Sequence, residues 1–224
     1  MSKGLSGNQL KIIAALAMTV DHIGVMIFPD VLILRIIGRL ALPIFAYMIA
    51  EGCVYTKSRA KYALTLFAVA LFCQVVYFVA MRSLEQCILV TFLMSVLLIF
   101  AYEGVRKKKR VVNICVFVIA FAAIYVICEI IPIYVKEFSV DYGFWGAILP
   151  LLIYTGRTKN EKLIRLALGL LFITLVLNGV QAWSMLALIP LYFYNGKRGK
   201  MRMKYFFYIY YPLHLGAIHL ISML

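Results

Sequence analysis

The chain has 224 residues, of which 65% are hydrophobic and 14% are charged, and its mean hydropathy is +0.96. Soluble domains are about 45–50% apolar, so the composition excludes an ordinary soluble domain and predicts an integral membrane protein. The net charge of +14 has two explanations, namely binding to nucleic acid or enrichment of basic residues in cytoplasmic loops. Because nearly all Lys and Arg residues fall in every second loop, we adopt the second and predict no nucleic-acid partner.

Nine apolar segments follow one another along the chain, each close to the length that crosses a bilayer. They lie at about 10–28, 33–54, 62–81, 87–104, 111–131, 141–155, 163–179, 182–194 and 205–223. The sixth and eighth are short for a full crossing, so we expect a tilt, a kink or a partly re-entrant path. Pro43 is expected to bend the second segment. The predicted fold is all-α, a polytopic membrane helical bundle that forms a single domain over residues 1–224.

The loops predict how the chain is oriented in the membrane. Basic clusters follow the second, fourth, sixth and eighth segments: Lys57, Arg59 and Lys61; 106–110; Arg157, Lys159 and Lys162; and Lys197, Arg198, Lys200, Arg202 and Lys204. The alternate loops carry only Arg82 and Lys136. Positive residues concentrate on the cytoplasmic side, so the N-terminus is predicted in the cytoplasm and the C-terminus outside.

The first apolar segment carries ionisable groups at depths in the membrane where a charged group is energetically unfavourable. Asp21 and His22 lie past its middle, and Lys11 lies at its cytoplasmic end. An Asp or Lys at the centre of a membrane helix costs roughly 2.5–3.5 kcal/mol on insertion scales, so such residues usually mark a pathway or a reaction site. Lys11 and His22 share a helical face at an axial separation of about 16 Å. This stripe predicts a site for a long ligand with an anionic head.

Other segments place polar residues at a similar depth. Arg35 and Arg39 lie one turn apart in the second segment, Asp141 and Tyr142 open the sixth, and His214 lies in the ninth. We predict one polar cavity in the outer half of the membrane, formed by Asp21, His22, Arg35, Arg39, Asp141 and His214. Tyr211 lies one turn before His214 and is predicted to line the same cavity.

Structural explanations of these residues remain open. Asp21 or Asp141 can pair with Arg35 or Arg39 only to hold helices together, and Tyr211 can belong to an aromatic belt beside a proline kink.

His22 is the candidate general base, because a neutral imidazole can take a proton from an incoming nucleophile near pH 7. Asp21 either orients this ring or pairs with an arginine, since neighbouring side chains on a helix point about 100° apart. The five cysteines form no paired motif and there are three histidines. We therefore predict no metal site.

Short motifs through most of the chain are similar to one known family. They are Leu10-Lys11-Ile12-Ile13-Ala14, Asp21-His22-Ile23-Gly24, Leu34-Arg35-Ile36-Ile37-Gly38-Arg39, Pro43-Ile44-Phe45-Ala46-Tyr47, Ala50-Glu51-Gly52, Asp141-Tyr142-Gly143 and Tyr210-Tyr211-Pro212-Leu213-His214-Leu215. These motifs resemble the TraX family, best known from conjugative plasmids, where the member acetylates the pilin N-terminus. The family is similar in turn to the transmembrane acyltransferases, including the acyltransferase-3 and heparan-glucosaminide acetyltransferase groups. In acyltransferase-3 proteins an arginine precedes a histidine by ten intervening residues, and Lys11 and His22 keep that spacing with lysine in place of arginine.

The resemblance implies an acetyltransferase of the bacterial cytoplasmic membrane that uses acetyl-CoA and no metal. Its acceptor would be an amine or hydroxyl on a protein or glycan at the outer leaflet, such as a pilin-like N-terminus. The pantetheine arm of CoA is about 15 Å long, close to the separation of roughly 16 Å between Lys11 and His22.

The same resemblance implies roles for individual residues. The catalytic residues would be His22 and Asp21. CoA would contact Lys11, Arg39, Lys57, Arg59 and Lys61. The substrate cavity would be lined by Arg35, Tyr47, Glu51, Asp141, Tyr142, Tyr211 and His214.

Two other functions remain open at this point. Buried Asp, His and Arg also suit a transporter or proton-coupled carrier, although the sequence shows no paired interrupted segments in two matching halves. The other open function is a non-enzymatic envelope assembly factor, in which the charged residues have a structural role.

Overall fold

The structure is a computed structural model that describes residues 4–177, 179–200 and 203–223. Arg202 of the last basic loop lies outside these residues. The helices are α1 (Gly7–Met26), α2 (Leu32–Gly38), α3 (Ala41–Tyr55), α4 (Arg59–Met81), α5 (Ile88–Lys107), α6 (Val111–Tyr125), a π-helical turn (Val126–Ile130), α7 (Ile131–Tyr134), α8 (Gly143–Thr155), α9 (Lys159–Leu177), a 3₁₀ segment (Gly179–Ala187), α10 (Leu188–Tyr192) and α11 (Lys204–Ser222). Within the described ranges the regular structure is helical, which confirms the predicted fold class, and interrupted helices counted once give the nine predicted segments.

The membrane character of the chain follows from the length and composition of these helices. In the described part, five helical segments are long and apolar enough to cross a membrane: Gly7–Met26, Leu32–Tyr55, Arg59–Val79, Ile88–Lys107 and Val111–Tyr134. The sixth predicted segment is short, as expected, because the 13 residues of α8 span only about 20 Å of a hydrocarbon core about 30 Å thick. The eighth is mostly 3₁₀ helix. The direction in which the chain crosses the membrane stays a prediction.

The second predicted segment is two helices instead of one bent helix. Pro43 explains the break, because a proline inside a helix clashes with the carbonyl four residues before it, here that of Arg39. The N–H groups of Arg39 and Leu40 therefore close the last turn of α2, donating to carbonyls of Arg35, Ile36 and Ile37. Pro43 then lies in the first turn of α3, where no backbone donor is needed. The break places Arg39 at the junction of two half-helices.

The chain forms two compact units, and the first contains the residues up to Met48 together with those from Leu163 onward. In this unit α1 packs against α2 and α11, and the 3₁₀ segment packs against α2 and α10. Gly24 allows α1 and α2 to approach closely, because a Cβ atom at this position would lie 2.8 Å from Cβ of Leu34. The core of this first unit contains Leu10, Ala14, Ile44, Leu166, Leu170 and Leu191.

The second unit, Ile49–Lys162, is organised around α5, which packs against α4, α6 and α8. Two hydroxyls join α5 to α8 and to the residues just before it. Ser95 Oγ donates to the carbonyl of Ala147 at 2.7 Å, and Thr91 Oγ1 donates to that of Asp141 at 2.8 Å. The π-helical turn presents the carboxylate of Glu129 to the N–H of Phe144 at 3.1 Å, where α8 begins. A negative group at a helix N-terminus is stabilising.

Candidate functional site

The first feature of the site is a carboxylate shared by two arginines. Arg35 Nη1 lies 2.9 Å from Asp21 Oδ2, and Arg39 Nη2 lies 2.6 and 2.8 Å from the two carboxylate oxygens. Arg35 and Arg39 reach the same group because residues four apart lie on one helical face. We call these three residues the Asp21 cluster. Of the two roles considered for Asp21, the structure shows pairing with arginine.

Gly38 makes this arrangement sterically possible. A Cβ atom there would lie 2.1 Å from Asp21 Oδ1 and 2.3 Å from Asp21 Cβ, so the carboxylate lies directly against the α2 backbone. Gly38 was not singled out as a site residue from the sequence, although it lies between two arginines in a segment predicted to be helical.

Replacing Gly38 with alanine is expected to lower the free energy of unfolding by about 1–3 kcal/mol, the usual cost of overpacking. The new methyl group would displace Asp21 and lengthen its contacts with the arginines. Thermal unfolding of the purified protein in detergent measures the loss. Gly216→Ala is the matched control, since nothing lies within 4 Å of a Cβ atom there and alanine favours helix. Equal unfolding temperatures of the two variants would refute the steric role of Gly38.

The second feature is a pair of histidines on α1 and α11. His22 Nδ1 lies 2.8 Å from His214 Nε2, and His214 Nδ1 lies 3.0 Å from the carbonyl oxygen of Tyr210. A carbonyl only accepts, so in the neutral pair His214 carries its proton on Nδ1 and accepts on Nε2. His22 must then donate from Nδ1. This assignment, made from the hydrogen-bond partners, leaves a lone pair on His22 Nε2.

α1 and α11 run parallel along the face that carries Lys11 and His22. Lys11 Nζ lies 5.8 Å from the ring centroid of Phe207, and Thr19 Oγ1 is hydrogen-bonded to the hydroxyl of Tyr210. The stripe predicted for a long ligand is therefore the face against which α11 packs. His22 is half-buried. The parallel direction fits an odd number of crossings, because the first and ninth segments then run the same way.

The 3₁₀ segment supplies a residue that the sequence did not suggest. Arg39 Nη1 donates to Gln181 Oε1 at 3.3 Å, and Gln181 is only 3% exposed. Nine residues is long for a 3₁₀ helix, in which residues three apart lie on one face. Gln181, Ser184 and Ala187 are the residues of this segment that are buried. A three-residue repeat of buried positions is the signal that could have found Gln181 and Ser184.

Two predicted cavity tyrosines also lie in the first unit. Tyr211 is buried and its ring meets that of His214 edge-on, with the centroids 5.5 Å apart. Tyr47 is buried and meets Tyr194 edge-on at 5.8 Å. Tyr211 thus borders the histidine pair, while Tyr47 packs in the core of its unit.

Three predicted basic residues at the start of α4 lie in the second unit. Arg59 Nη2 pairs with Glu103 Oε2 at 3.0 Å, and the same carboxylate, which is 2% exposed, pairs with Arg106 at 2.8 Å. Lys57 and Lys61 are exposed. Their role in binding CoA stays a prediction.

Glu51, Asp141 and Tyr142 also belong to the second unit. Glu51 is buried and its carboxylate pairs with Lys162 Nζ at 2.5 Å. Asp141 is exposed, and Tyr142 adopts a left-handed conformation, with φ of 60°, directly before α8. The predicted convergence of Asp141 with the Asp21 cluster stays a prediction.

Together the fold and the site define a class: a polytopic helical membrane protein with an ion cluster and a histidine pair among its apolar helices. The family profile described as TraX protein matches residues 6–222, and the chain belongs to the TraX family. This confirms the resemblance carried by the sequence motifs.

Two relatives extend the comparison. The probable fimbrial assembly protein FimC, serogroup H1, of Dichelobacter nodosus is 26% identical over 243 aligned positions, which cover 95% of this chain and 94% of that protein. An uncharacterized protein of Rickettsia prowazekii (strain Madrid E) is 42% identical over 52 positions, which cover 23% of this chain and 21% of that one. No solved structure matches the chain significantly.

Proposed function

We propose that this chain is an acetyltransferase of the bacterial cytoplasmic membrane that moves the acetyl group of acetyl-CoA to an amine or hydroxyl at the outer face. The observation that carries this proposal is the hydrogen bond between His22 and His214, which leaves a lone pair on Nε2 of His22. His22 directly follows Asp21, the carboxylate of the Asp21 cluster, in the sequence. The similarity to a fimbrial assembly protein supports an acceptor in the cell envelope, either a pilin-like N-terminus or a glycan.

In this mechanism His22 is the general base. Its Nε2 accepts the proton of the acceptor amine or hydroxyl while that nitrogen or oxygen attacks the acetyl carbon. The carbon–sulfur bond breaks, and CoA leaves as a thiolate that takes up a proton. His214 is a positioning residue, since it accepts from His22 Nδ1 and thereby keeps Nε2 directed away from the pair.

Lys11 suits the anionic end of acetyl-CoA. It lies three turns before His22 on the same helix, at about the length of the pantetheine arm. The aromatic residues of α11 cover the stripe between them, so in this proposal the arm enters along the edge of the α1–α11 contact. Lysine acts as a point charge toward phosphate where arginine would offer a fork.

The experiment uses the purified full chain in proteoliposomes with acetyl-labelled acetyl-CoA and a synthetic peptide that has a free N-terminal amine. We expect label on the peptide and release of free CoA. Saturable flux of a solute without consumption of acetyl-CoA would instead establish a transporter. Envelope assembly that survives without acetyl transfer, and with charge-swapped pairs at Asp21 and Arg39, would establish an assembly factor.

Replacing His214 separates positioning from mere packing. His214→Leu removes the acceptor for His22 Nδ1, and loss of one hydrogen bond worth about 1–1.5 kcal/mol lowers the rate roughly 5- to 10-fold. His214→Gln keeps an acceptor oxygen and is expected to restore part of the rate. The initial rate of CoA release measures both variants. If leucine and glutamine variants are equally active, His214 has only a packing role.

A further inference from the structure

Two buried polar atoms of the 3₁₀ segment have no hydrogen-bond partner among the described residues, and one of them belongs to Gln181, which contacts Arg39 of the Asp21 cluster. They are Nε2 of Gln181 and Oγ of Ser184, and both residues are at most 3% exposed. Because the two lie three apart on the 3₁₀ segment, they share one face. Buried polar groups in native proteins are normally satisfied, so this unsatisfied pair points to a ligand that completes it.

The contact with Arg39 fixes which end of the Gln181 amide is available. A guanidinium only donates, so the atom that faces Arg39 Nη1 at 3.3 Å is the oxygen, and the remaining nitrogen only donates. The hydroxyl of Ser184 can donate as well. The missing partner is therefore a hydrogen-bond acceptor, which in a biological ligand is most commonly an oxygen.

The positive charge around Gln181 favours a negatively charged oxygen over a neutral one. The Asp21 cluster contains two guanidinium groups and one carboxylate, so its charge is 2 − 1 = +1. α3 begins at Ala41, two residues after Arg39, and the N-terminal end of a helix carries a partial positive charge.

We propose that Gln181 and Ser184, together with Arg39, bind a negatively charged oxygen. It belongs either to a carboxylate or phosphate of the acceptor or to the oxyanion that forms on the acetyl carbonyl during transfer. The second source rests on the proposed function, whereas the first does not. Donors aimed at a developing oxyanion are a major source of catalysis in acyl transfer.

Gln181→Glu is the informative variant. One carboxylate oxygen can still accept from Arg39, so the contact and the side-chain volume are kept, while the second oxygen replaces the donor and repels an anion. Ser184→Ala is the second variant and removes one hydroxyl. Thr174→Val is the matched control, because Thr174 Oγ1 on α9 is also buried without a partner among the described residues.

Two measurements on the purified full chain distinguish the sources. The first is the increase in unfolding temperature caused by inorganic phosphate, relative to chloride at the same ionic strength. The second is the rate of acetyl-CoA consumption. If phosphate stabilises the wild type and the control but neither Gln181→Glu nor Ser184→Ala, the site binds a ligand anion. If phosphate has no effect but both variants consume acetyl-CoA about 10²-fold more slowly, the site binds the oxyanion.

The remaining outcomes overturn one proposal or both. If Gln181→Glu and Ser184→Ala behave like the wild type in both measurements, the anion site is wrong. A phosphate effect that depends on Gln181, in a protein that consumes no acetyl-CoA, keeps the anion site and removes the acetyltransferase. A wild type with neither response overturns both.

Discussion

Asp21→Ala is expected to lower the free energy of unfolding by about 3–5 kcal/mol, the usual cost of removing one partner from a buried ion pair. The loss is large because Asp21 is the carboxylate for both Arg35 and Arg39, and the side chains of Asp21 and Arg39 are only 15% and 12% exposed. The variant leaves two guanidinium groups facing each other in a low-dielectric environment. Denaturant unfolding of the protein in mixed micelles measures the change.

Asp30→Ala is the control for this prediction. Asp30 is exposed and lies between α1 and α2, so its replacement changes the charge equally but is expected to change stability by less than about 0.5 kcal/mol. Adding Arg39→Met to Asp21→Ala should recover part of the lost stability, because it removes one of the two guanidinium groups that Asp21→Ala leaves unpaired. Substitutions of contacting residues are not additive in this way. Equal stabilities of the two alanine variants would show that the cluster contributes nothing to folding.

His22→Ala is expected to reduce acetyl transfer by about 10²- to 10⁴-fold, the usual contribution of a general base. Binding of CoA should persist, because the imidazole acts on the acceptor's proton. The initial rate of label transfer from acetyl-CoA measures the first quantity, and protection of the protein against thermal unfolding by CoA measures the second. His219→Ala is the matched control on α11 and is expected to keep the wild-type rate. Full activity of the His22 variant would remove His22 from the mechanism.

Local spacing predicted the part of the site that lies within single helices. Arg35 and Arg39 were expected on one face because they are one turn apart, and both contact Asp21. The ion pair itself was one of the alternatives that the sequence left open. The break after Arg39 was predicted only as a bend, although the clash of Pro43 with the carbonyl four residues earlier is sufficient to end α2.

The contacts between distant helices could not be predicted in the same way. The pairing of His22 with His214 depends on the register of α1 against α11, which the hydrophobic pattern of either helix leaves undetermined. Gln181 lies just before the eighth predicted segment, 182–194, whereas the 3₁₀ segment begins at Gly179. Ser184 lies inside the predicted segment, but a tilted, kinked or re-entrant path does not indicate which of its side chains are buried. In an α-helix residues three apart diverge by about 60°, whereas in a 3₁₀ helix they eclipse.

In the second unit, residues predicted from their charge to contact a ligand form ion pairs with other side chains. Arg59 was predicted to contact CoA and Glu51 to line the cavity, yet each forms an ion pair within its unit, with Glu103 and Lys162. Neither pairing was predicted, because the partners are 44 and 111 residues away in sequence. An ion pair positions these groups and does not prevent them from contacting a ligand.

The most direct measurement of the central proposal is an experimental structure of the full chain with CoA bound. We predict that the CoA sulfur lies beside the His22 imidazole, close enough for an acceptor to bridge them at reacting distances of about 3–3.5 Å. The nucleotide end should lie toward Lys11. A sulfur held on another face of the protein, with His22 enclosed by α11 and closed to both sides of the membrane, would contradict the proposal.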